Sequence, residues 1–184
     1  MLFRSGISLF HTLDLTGVGM IADFARKRIH GDKAFYVYNQ HLNYINICKN
    51  RCLFCAYAKD RFDSGAYCYT MEEIEQRILE RIDEPVDELH IVGGLNPALD
   101  FEYFLDLLKT VKRIRPKAAV KAFTCVEVDY LANLSGLSVS RTVEKLKQAG
   151  LDEVHLQFDG AVRVCGAAAE LAADDALDWV MVGS

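Results

Sequence analysis

Apolar residues recur at helical spacing in four stretches of the chain, and this pattern predicts four amphipathic helices. The stretches are residues 16–29, 70–82, 100–111 and 138–150. Thr70 and Glu73 have the spacing of a capping box, which marks a helix start. Gly150 follows the last stretch, and glycine is the usual residue just after a helix because it adopts left-handed backbone angles.

Short apolar segments between these helices predict β-strands. They are residues 88–94, 118–123 and 153–158, and residues 34–48 are also expected to be extended. Their nearly continuous apolar composition is typical of parallel strands that are buried on both faces. Strands that alternate with helices indicate an α/β fold with a parallel sheet. The residues after Cys48 suffice for about four βα units of roughly 31 residues, so we expect a partial (β/α) barrel whose sheet stays open unless a partner completes it.

The composition of the 184 residues is typical of a folded soluble protein, with 51% hydrophobic and 26% charged residues. The net charge is −5 and the basic residues are scattered, so we expect no nucleic-acid partner. No apolar run approaches the ~20 residues that span a bilayer, and polar residues interrupt the N-terminus too early for a signal peptide. We therefore expect a cytoplasmic protein without a membrane partner, whose six cysteines are reduced and more suited to metal binding than to disulfides.

The segment CKNRCLFC places three cysteines, Cys48, Cys52 and Cys55, within eight residues. Thiolates bind the irons of a four-iron cluster, and three thiolates leave one iron open to a small molecule. Lys49 and Arg51 would offset part of the negative charge of such a cluster.

The alternative for these cysteines is a structural zinc site in which Cys68 is the fourth ligand. Zinc sites favour paired cysteines, whereas Cys68 is a lone cysteine in the segment GAYCYT. The cluster is therefore the preferred interpretation. A protein that binds iron–sulfur or zinc without turnover is the corresponding non-enzymatic hypothesis.

The segment CKNRCLFCAY resembles the cysteine signature of the radical S-adenosylmethionine enzymes. Further segments are similar, in the same order, to the aminofutalosine synthases of that superfamily, which serve menaquinone biosynthesis. They are HGDKAFYVYNQHLNYINICKNRCLFCAYAKD, GAYCYTMEEI, ELHIVGGLNPALDFEYFLDLLK and KAFTCVEVDYLANLSGLSVSRTVEKLKQAGLD. The similarity extends over about residues 6–152. Cyclic dehypoxanthinyl futalosine synthases and FO synthases share much of this pattern and remain alternatives.

The resemblance implies that Cys48, Cys52 and Cys55 bind a [4Fe-4S] cluster and that S-adenosylmethionine binds at its open iron. It also implies that Phe54 and Tyr57 lie against the adenine of this cofactor, with ordinary loop packing as the alternative. An external electron donor of the flavodoxin or ferredoxin type would then be a partner.

Four further residues are candidates for binding. Gly93 and Gly94 end a predicted strand, where a glycine backbone approaches a ligand closely, and the resemblance implies contact with the amino group of S-adenosylmethionine. A plain turn is the alternative for this pair. Glu127 could bind the ribose hydroxyls of the cofactor or be a solvated residue at a helix start. Asn96 could offer its amide to a substrate carboxylate or form a turn. His90 is expected to be an ordinary core histidine.

The activity implied by the resemblance is that of a transferase. Its 5′-deoxyadenosyl radical adds to the enolpyruvyl double bond of a small-molecule substrate, 3-[(1-carboxyvinyl)oxy]benzoate, to give aminofutalosine. Residues after the segment AGLD, 149–152, depart from the family pattern. We therefore expect a helical and extended lead-in at residues 1–40, a partial radical S-adenosylmethionine core at 41–158 and a divergent or truncated tail at 159–184.

Overall fold

The protein forms two compact units, Met1–Tyr36 and Val37–Ser184. The computed structural model describes residues 2–50, 52, 55–156 and 180–182. Within these described residues, no helix is both long enough and apolar enough to cross a membrane. Cys165 and most of the predicted tail lie outside the described residues.

The first unit contains two helices, α1 (Leu2–His11) and α2 (Leu15–His30). Helix α2 confirms the helix that the apolar spacing predicts over residues 16–29, whereas α1 was not predicted. Asp14 caps α2, because its side chain accepts a hydrogen bond from the Gly17 amide at 2.8 Å.

The second unit alternates parallel strands with helices. Its described strands are β1 (Asn39–Leu42), β2 (Glu88–Ile91), β3 (Ala119–Thr124), β4 (Glu153–Leu156) and β5 (Val180–Val182). Its described helices are α3 (Met71–Leu79), α4 (Phe101–Ile114), α5 (Cys125–Ser135) and α6 (Val139–Ala149). The strands lie side by side in chain order, and every neighbouring pair is parallel. This arrangement confirms the predicted α/β fold with a parallel sheet.

Local sequence signals account for the helix ends. The Thr70 hydroxyl accepts a hydrogen bond from the Glu73 amide at 3.3 Å, and the Glu73 carboxylate accepts one from the Thr70 amide at 2.8 Å, so the predicted capping box is confirmed. The Asp100 side chain caps α4 through the Tyr103 amide at 2.9 Å. Gly150 follows α6 with φ of 119°, as expected for a glycine at this position.

Helix α5 was not predicted, although it carries a site residue. It follows β3 without a linker, and six of its eleven side chains are buried. Because most sides of α5 are buried, its own apolar residues do not form one periodic stripe in the sequence. The missed signal is a second capping box, Thr124 with Glu127, at the end of β3.

The two faces of the sheet differ in chemistry. One face packs against the helices, and its buried apolar side chains are Leu42, Leu89, Ile91, Val120, Ala122 and Val154. Alternate positions place polar side chains on the other face, namely His41, Glu88, His90, Lys121, Glu153 and His155. The expectation of strands buried on both faces is confirmed for β3, in which residues 120–124 are all buried. In β1 and β2 it is wrong, because buried positions alternate with exposed or half-buried ones.

Candidate functional site

The first cysteine is held by a loop that leaves β1 and folds back on a later segment. The Cys48 amide donates a hydrogen bond to the Lys59 carbonyl at 3.2 Å. The buried Asn46 side chain donates to the Gly65 carbonyl and accepts from the Tyr67 amide, both at 2.8 Å. Because a buried amide side chain with both ends bonded specifies one path for the chain, this contact fixes the position of the cysteine loop.

All three cysteines of the loop line one cavity of ≈ 390 Å³. Cys52 and Cys55 are exposed, Cys48 is partly buried, and all three are free thiols. The Cys48 sulfur accepts a hydrogen bond from the Leu95 amide at 3.3 Å. A backbone N–H donor to sulfur stabilises the thiolate form, which is the form that binds metals. The structure thus brings the three predicted cluster ligands together around a space the size of a small-molecule site.

The opposite wall of the cavity is the turn after β2, which contains Gly93 and Gly94. A Cβ atom on Gly94 would overlap the Ile47 carbonyl oxygen and lie 2.9 Å from the Cys48 Cβ. A Cβ on Gly93 would lie 2.5 Å from the ring of Tyr44. Both positions therefore need glycine because other backbone and ring atoms approach too closely for a side chain. This close approach places the turn directly against the first cysteine.

Glu127 joins the same turn to the start of α5. Its Oε1 accepts hydrogen bonds from the Gly93 amide at 3.2 Å and the Tyr44 hydroxyl at 3.4 Å, and its Oε2 accepts one from the Thr124 amide at 2.7 Å. Burial raises the pKa of Glu127 to about 7, although these hydrogen bonds oppose the rise. Only 4% of the surface of Glu127 is exposed, so the alternative that it is a solvated residue at a helix start is wrong. Its contact with the ribose of a cofactor stays a prediction.

The burial of Glu127 predicts a pH-dependent stability. In the unfolded chain its carboxyl group loses its proton near the ordinary pKa of 4.5, whereas the folded protein holds the proton up to a pKa of about 7. Between these values the folded state binds more protons, so the free energy of unfolding falls as the pH rises, by about 3 kcal/mol from this residue. Urea unfolding of the wild type and Glu127→Gln at pH 5 and pH 8 measures this contribution.

The quantity to compare is the difference in the free energy of unfolding between the wild type and the variant at each pH. Burial lowers the pKa of His90 to about 4, and this shift makes stability rise with pH in part of the same range. Glu75→Gln serves as the matched control, because Glu75 is a partly exposed carboxylate and its hydrogen bond with Arg113 lowers its pKa instead. If the free energy of unfolding changes equally between pH 5 and pH 8 in Glu127→Gln and in Glu75→Gln, the buried carboxyl group does not make stability depend on pH.

The remaining predicted contacts are placed as follows. Tyr57 lines the cavity with 48% of its surface exposed, and its hydroxyl makes a short hydrogen bond with that of Tyr67. Asn96 does not line the cavity; its side chain accepts a hydrogen bond from the Ala98 amide at 3.1 Å, which is the turn-forming alternative. Phe54 lies outside the described residues.

Cys68 lies apart from the cysteine cavity. It pairs with Ile45 in an isolated bridge and packs against the apolar core, and it does not line the cavity. Burial raises the pKa of the Cys68 thiol. In the described part of the chain, no three His, Cys, Asp or Glu side chains are placed to hold a single metal ion. The geometry therefore gives no support to a zinc site with Cys68 as fourth ligand.

One of the two basic residues beside the cysteines can be located. The Lys49 amine lies over the ring of Tyr130 at 4.4 Å from its centroid, and the Lys49 amide donates to the Leu95 carbonyl at 2.8 Å. Arg51 lies outside the described residues. Lys49 thus has a fixed position next to the first cysteine.

Sequence reasoning missed a polar cluster on the face of the sheet opposite the one that packs against the described helices. The rings of His41 and His90 are stacked at 4.7 Å between centroids, and those of His90 and His155 meet edge to face at 4.5 Å. Lys121 lies beside His90 in the neighbouring strand. We call His41, His90, Lys121 and His155 the histidine–lysine cluster. The signal that could have found it is the alternation of polar and apolar residues in ELHI and EVHL.

Comparisons with known proteins agree with this site. The family model described as the radical SAM superfamily matches residues 42–165. The chain is 38% identical over 142 residues to the 5-amino-6-(D-ribitylamino)uracil–L-tyrosine 4-hydroxyphenyl transferase of Methanopyrus kandleri, which covers 77% of this chain and 38% of the relative. It is 32% identical over 150 residues to the aminodeoxyfutalosine synthase of Thermus thermophilus, which covers 82% of this chain and 40% of the relative.

A solved structure shows the same fold. The crystal structure of methylornithine synthase superimposes with a TM-score of 0.57 and 20% identity, over 79% of this chain and 44% of that chain. This similarity supports the predicted partial (β/α) barrel. The chain spans about two fifths of the length of the curated relatives that it matches.

Proposed function

Because the chain belongs to the radical SAM superfamily, we propose that it acts as a radical S-adenosylmethionine enzyme of the aminofutalosine synthase type. The similarity to the aminodeoxyfutalosine synthases of Thermus thermophilus and Streptomyces coelicolor, at 32% and 34% identity, supports this type. The observation that carries the proposal is the single cavity between the three cysteines and the Gly93–Gly94 turn.

The residues around this cavity suit a cluster with one open iron. Cys48, Cys52 and Cys55 would hold three of the irons, and their loop offers no fourth cysteine. The cluster and S-adenosylmethionine, when bound, supply the radical chemistry. The Leu95 amide, through its hydrogen bond to the Cys48 sulfur, would stabilise the thiolate charge. The glycine turn leaves backbone rather than side chains facing the cavity, so a ligand can approach it closely.

We further propose the reaction and the partners. S-adenosylmethionine would release methionine, its 5′-deoxyadenosyl radical would add to the enolpyruvyl double bond of 3-[(1-carboxyvinyl)oxy]benzoate, and rearrangement with loss of carbon dioxide would give aminofutalosine for menaquinone biosynthesis. The electron that reduces the cluster at the start of the reaction would come from a donor of the flavodoxin or ferredoxin type. Since the chain spans two fifths of the length of these relatives, the reaction and the partners stand as proposals.

The sequence identities to other relatives support a second candidate function. The Methanopyrus 4-hydroxyphenyl transferase is 38% identical, and the FO synthase of Nocardia farcinica is 34% identical over 91% of this chain. These relatives favour a reaction in which the substrate is L-tyrosine, as named for the transferase. The cyclic dehypoxanthinyl futalosine synthases remain the alternative within the futalosine route.

A labelling experiment tests the proposed function. The anaerobically reconstituted chain is supplied with dithionite, S-adenosylmethionine labelled in its adenosyl group, and 3-[(1-carboxyvinyl)oxy]benzoate or L-tyrosine. We expect the label to appear in an adduct with the enolpyruvyl substrate. Free labelled 5′-deoxyadenosine formed only with L-tyrosine would support the second candidate instead. A reconstituted chain that cleaves S-adenosylmethionine with neither substrate contradicts both.

A further inference from the structure

The Lys49 side chain, next to the first cysteine, is held against an aromatic ring. Its amine lies 4.4 Å from the centroid of the Tyr130 ring. A lysine ammonium over an aromatic face is attracted by the negative face of the ring. Lys49 is exposed, whereas only 9% of the surface of Tyr130 is exposed. The buried ring therefore gives a long and flexible side chain one preferred position.

The backbone of Lys49 is fixed relative to the Cys48 sulfur. The Lys49 amide donates a hydrogen bond to the Leu95 carbonyl at 2.8 Å, and the Leu95 amide donates one to the Cys48 sulfur at 3.3 Å. These two bonds run in opposite directions between the cysteine loop and the turn after β2. The Lys49 side chain thus begins at a defined position beside the sulfur.

Helix α5 brings Tyr130 to the same place. Its first turn is tied to the turn after β2, because Glu127 accepts a hydrogen bond from the Gly93 amide at 3.2 Å. Tyr130 follows Glu127 by three residues, and residues three apart are neighbours on one helix face. Burial, and after it the negative charge of the Cys48 thiolate, raises the pKa of Tyr130. The Tyr130 side chain is therefore within electrostatic range of the first cysteine.

No ion pair offsets the charge of Lys49 in the part of the chain that the structure describes. Its amine is found over the Tyr130 ring, without a carboxylate partner among the described residues. The acid that lines the cavity, Glu127, is bonded to Gly93, Tyr44 and Thr124 instead. Lys49 thus keeps its full positive charge close to the Cys48 sulfur.

A positive charge at this position affects the reduction of a cluster more than its binding. A four-iron cluster with three thiolates is negatively charged, and its reduction potential depends on the charges and hydrogen bonds around it. Reduction adds one electron, so the negative charge of the cluster grows by one. The attraction to a nearby cation grows with it, and the cation therefore stabilises the reduced form.

We propose that Lys49, held in place by the ring of Tyr130, raises the reduction potential of the iron–sulfur cluster. The inference rests on the proposed function, because it concerns the cluster that the three cysteines bind, and it adds how this chain eases the entry of the electron. Lys49 acts through its charge. Tyr130 acts through Lys49 and is a positioning residue.

The reduction potential itself measures the effect of Lys49. The reconstituted 184-residue chain is titrated anaerobically with dithionite and redox mediators, and the reduced cluster is followed by EPR. We expect Lys49→Gln to make reduction about tenfold less favourable, which lowers the potential by about 59 mV for one electron. Lys49→Arg keeps the charge and the contact with the ring, so its potential is expected to equal that of the wild type. Lys109→Gln removes an exposed lysine of α4 and is expected to change nothing. Equal potentials in the wild type and Lys49→Gln overturn the proposal.

Variants of Tyr130 test the positioning role. The Tyr130 hydroxyl is buried without a partner in the described residues, so Tyr130→Phe removes no known hydrogen bond and keeps the ring. Its potential is expected to match the wild type, whereas Tyr130→Leu is expected to lower the potential. In the Lys49→Gln background, Tyr130→Leu is expected to have no further effect, since the charge that the ring holds is already gone. An equal decrease in both backgrounds shows that Tyr130 does not act through Lys49.

NMR of the chain without a cluster gives an independent measurement. Protons over the face of a ring are shielded, so the side-chain protons next to the Lys49 amine are expected upfield of those of Lys109. The absence of this shift in the wild type overturns the proposal even if Tyr130→Leu does not fold. A chain that cleaves S-adenosylmethionine but has the same potential in the wild type and Lys49→Gln refutes this inference alone. A chain whose potential depends on Lys49, but which does not cleave S-adenosylmethionine, refutes the proposed function alone.

Discussion

Replacing Cys52 by alanine is expected to abolish cluster binding altogether. Cys52 is one of only three cysteines that line the cavity among the described residues, and it is exposed there, so no buried contact of the fold depends on it. Removing it leaves two thiolates, and a four-iron cluster held at two corners is open to solvent and is lost. Iron and sulfide content after anaerobic reconstitution, together with the visible absorbance of the cluster, measures the effect.

Cys68→Ala is the matched control, because it separates the cluster from the zinc alternative. The Cys68 side chain is partly buried and packs against the core, so its removal is expected to lower stability modestly and to leave iron and sulfide content unchanged. Loss of one zinc equivalent in both Cys52→Ala and Cys68→Ala would instead establish the zinc site. A wild-type chain that cannot be reconstituted contradicts the ligand assignment for this molecule.

Gly94→Ala is expected to have the second largest effect. The added Cβ would overlap the carbonyl oxygen of Ile47 and lie 2.9 Å from the Cys48 Cβ. Both atoms belong to backbone or to the base of a side chain, so neither can rotate away. The turn after β2 or the cysteine loop must then shift, at a cost of about 3 kcal/mol in the free energy of unfolding. The same shift would break the hydrogen bond from Leu95 to the Cys48 sulfur.

Gly19→Ala is the control for the effect of glycine replacement itself. Gly19 lies within α2, and a Cβ there has no heavy atom within 4 Å. Alanine is favoured over glycine in a helix, so this variant is expected to be as stable as the wild type or slightly more stable. Thermal unfolding and iron incorporation are measured for both variants. If Gly94→Ala retains wild-type stability and iron content, the turn and the cysteine loop do not depend on this close contact.

Glu127 illustrates how position in the fold changes the meaning of a residue. In the sequence it is a carboxylate shortly after an apolar strand, and solvation at a helix start is a natural expectation. In the structure it is buried, and it receives hydrogen bonds from Gly93, Tyr44 and Thr124. Only the Thr124 contact is local in sequence, because the other two donors come from the turn after β2 and from the loop after β1. The sequence contains no signal that these segments meet.

The sequence by itself determined most of the elements of this protein, and it predicts the cysteine ligand set. Helical spacing, capping residues such as Thr70 and Asp100, and the alternation of strands with helices are local signals, so the α/β fold follows from them. The spacing of Cys48, Cys52 and Cys55 is equally local, since one short loop carries all three. These features depend on residues a few positions apart, whose geometry the backbone constrains directly.

Only the tertiary structure decided which distant residues share a surface. The approach of the Gly94 turn to Cys48, the burial of Glu127 and the meeting of His90 with His155 all join segments that are more than thirty residues apart. Each of these contacts depends on strand register and on the face of the sheet toward which a side chain points. A shift of the register by one residue would move every side chain of the strand to the other face. Strand composition predicts that a sheet forms, but the packing of the described helices on one side of it decides which side chains join the apolar core.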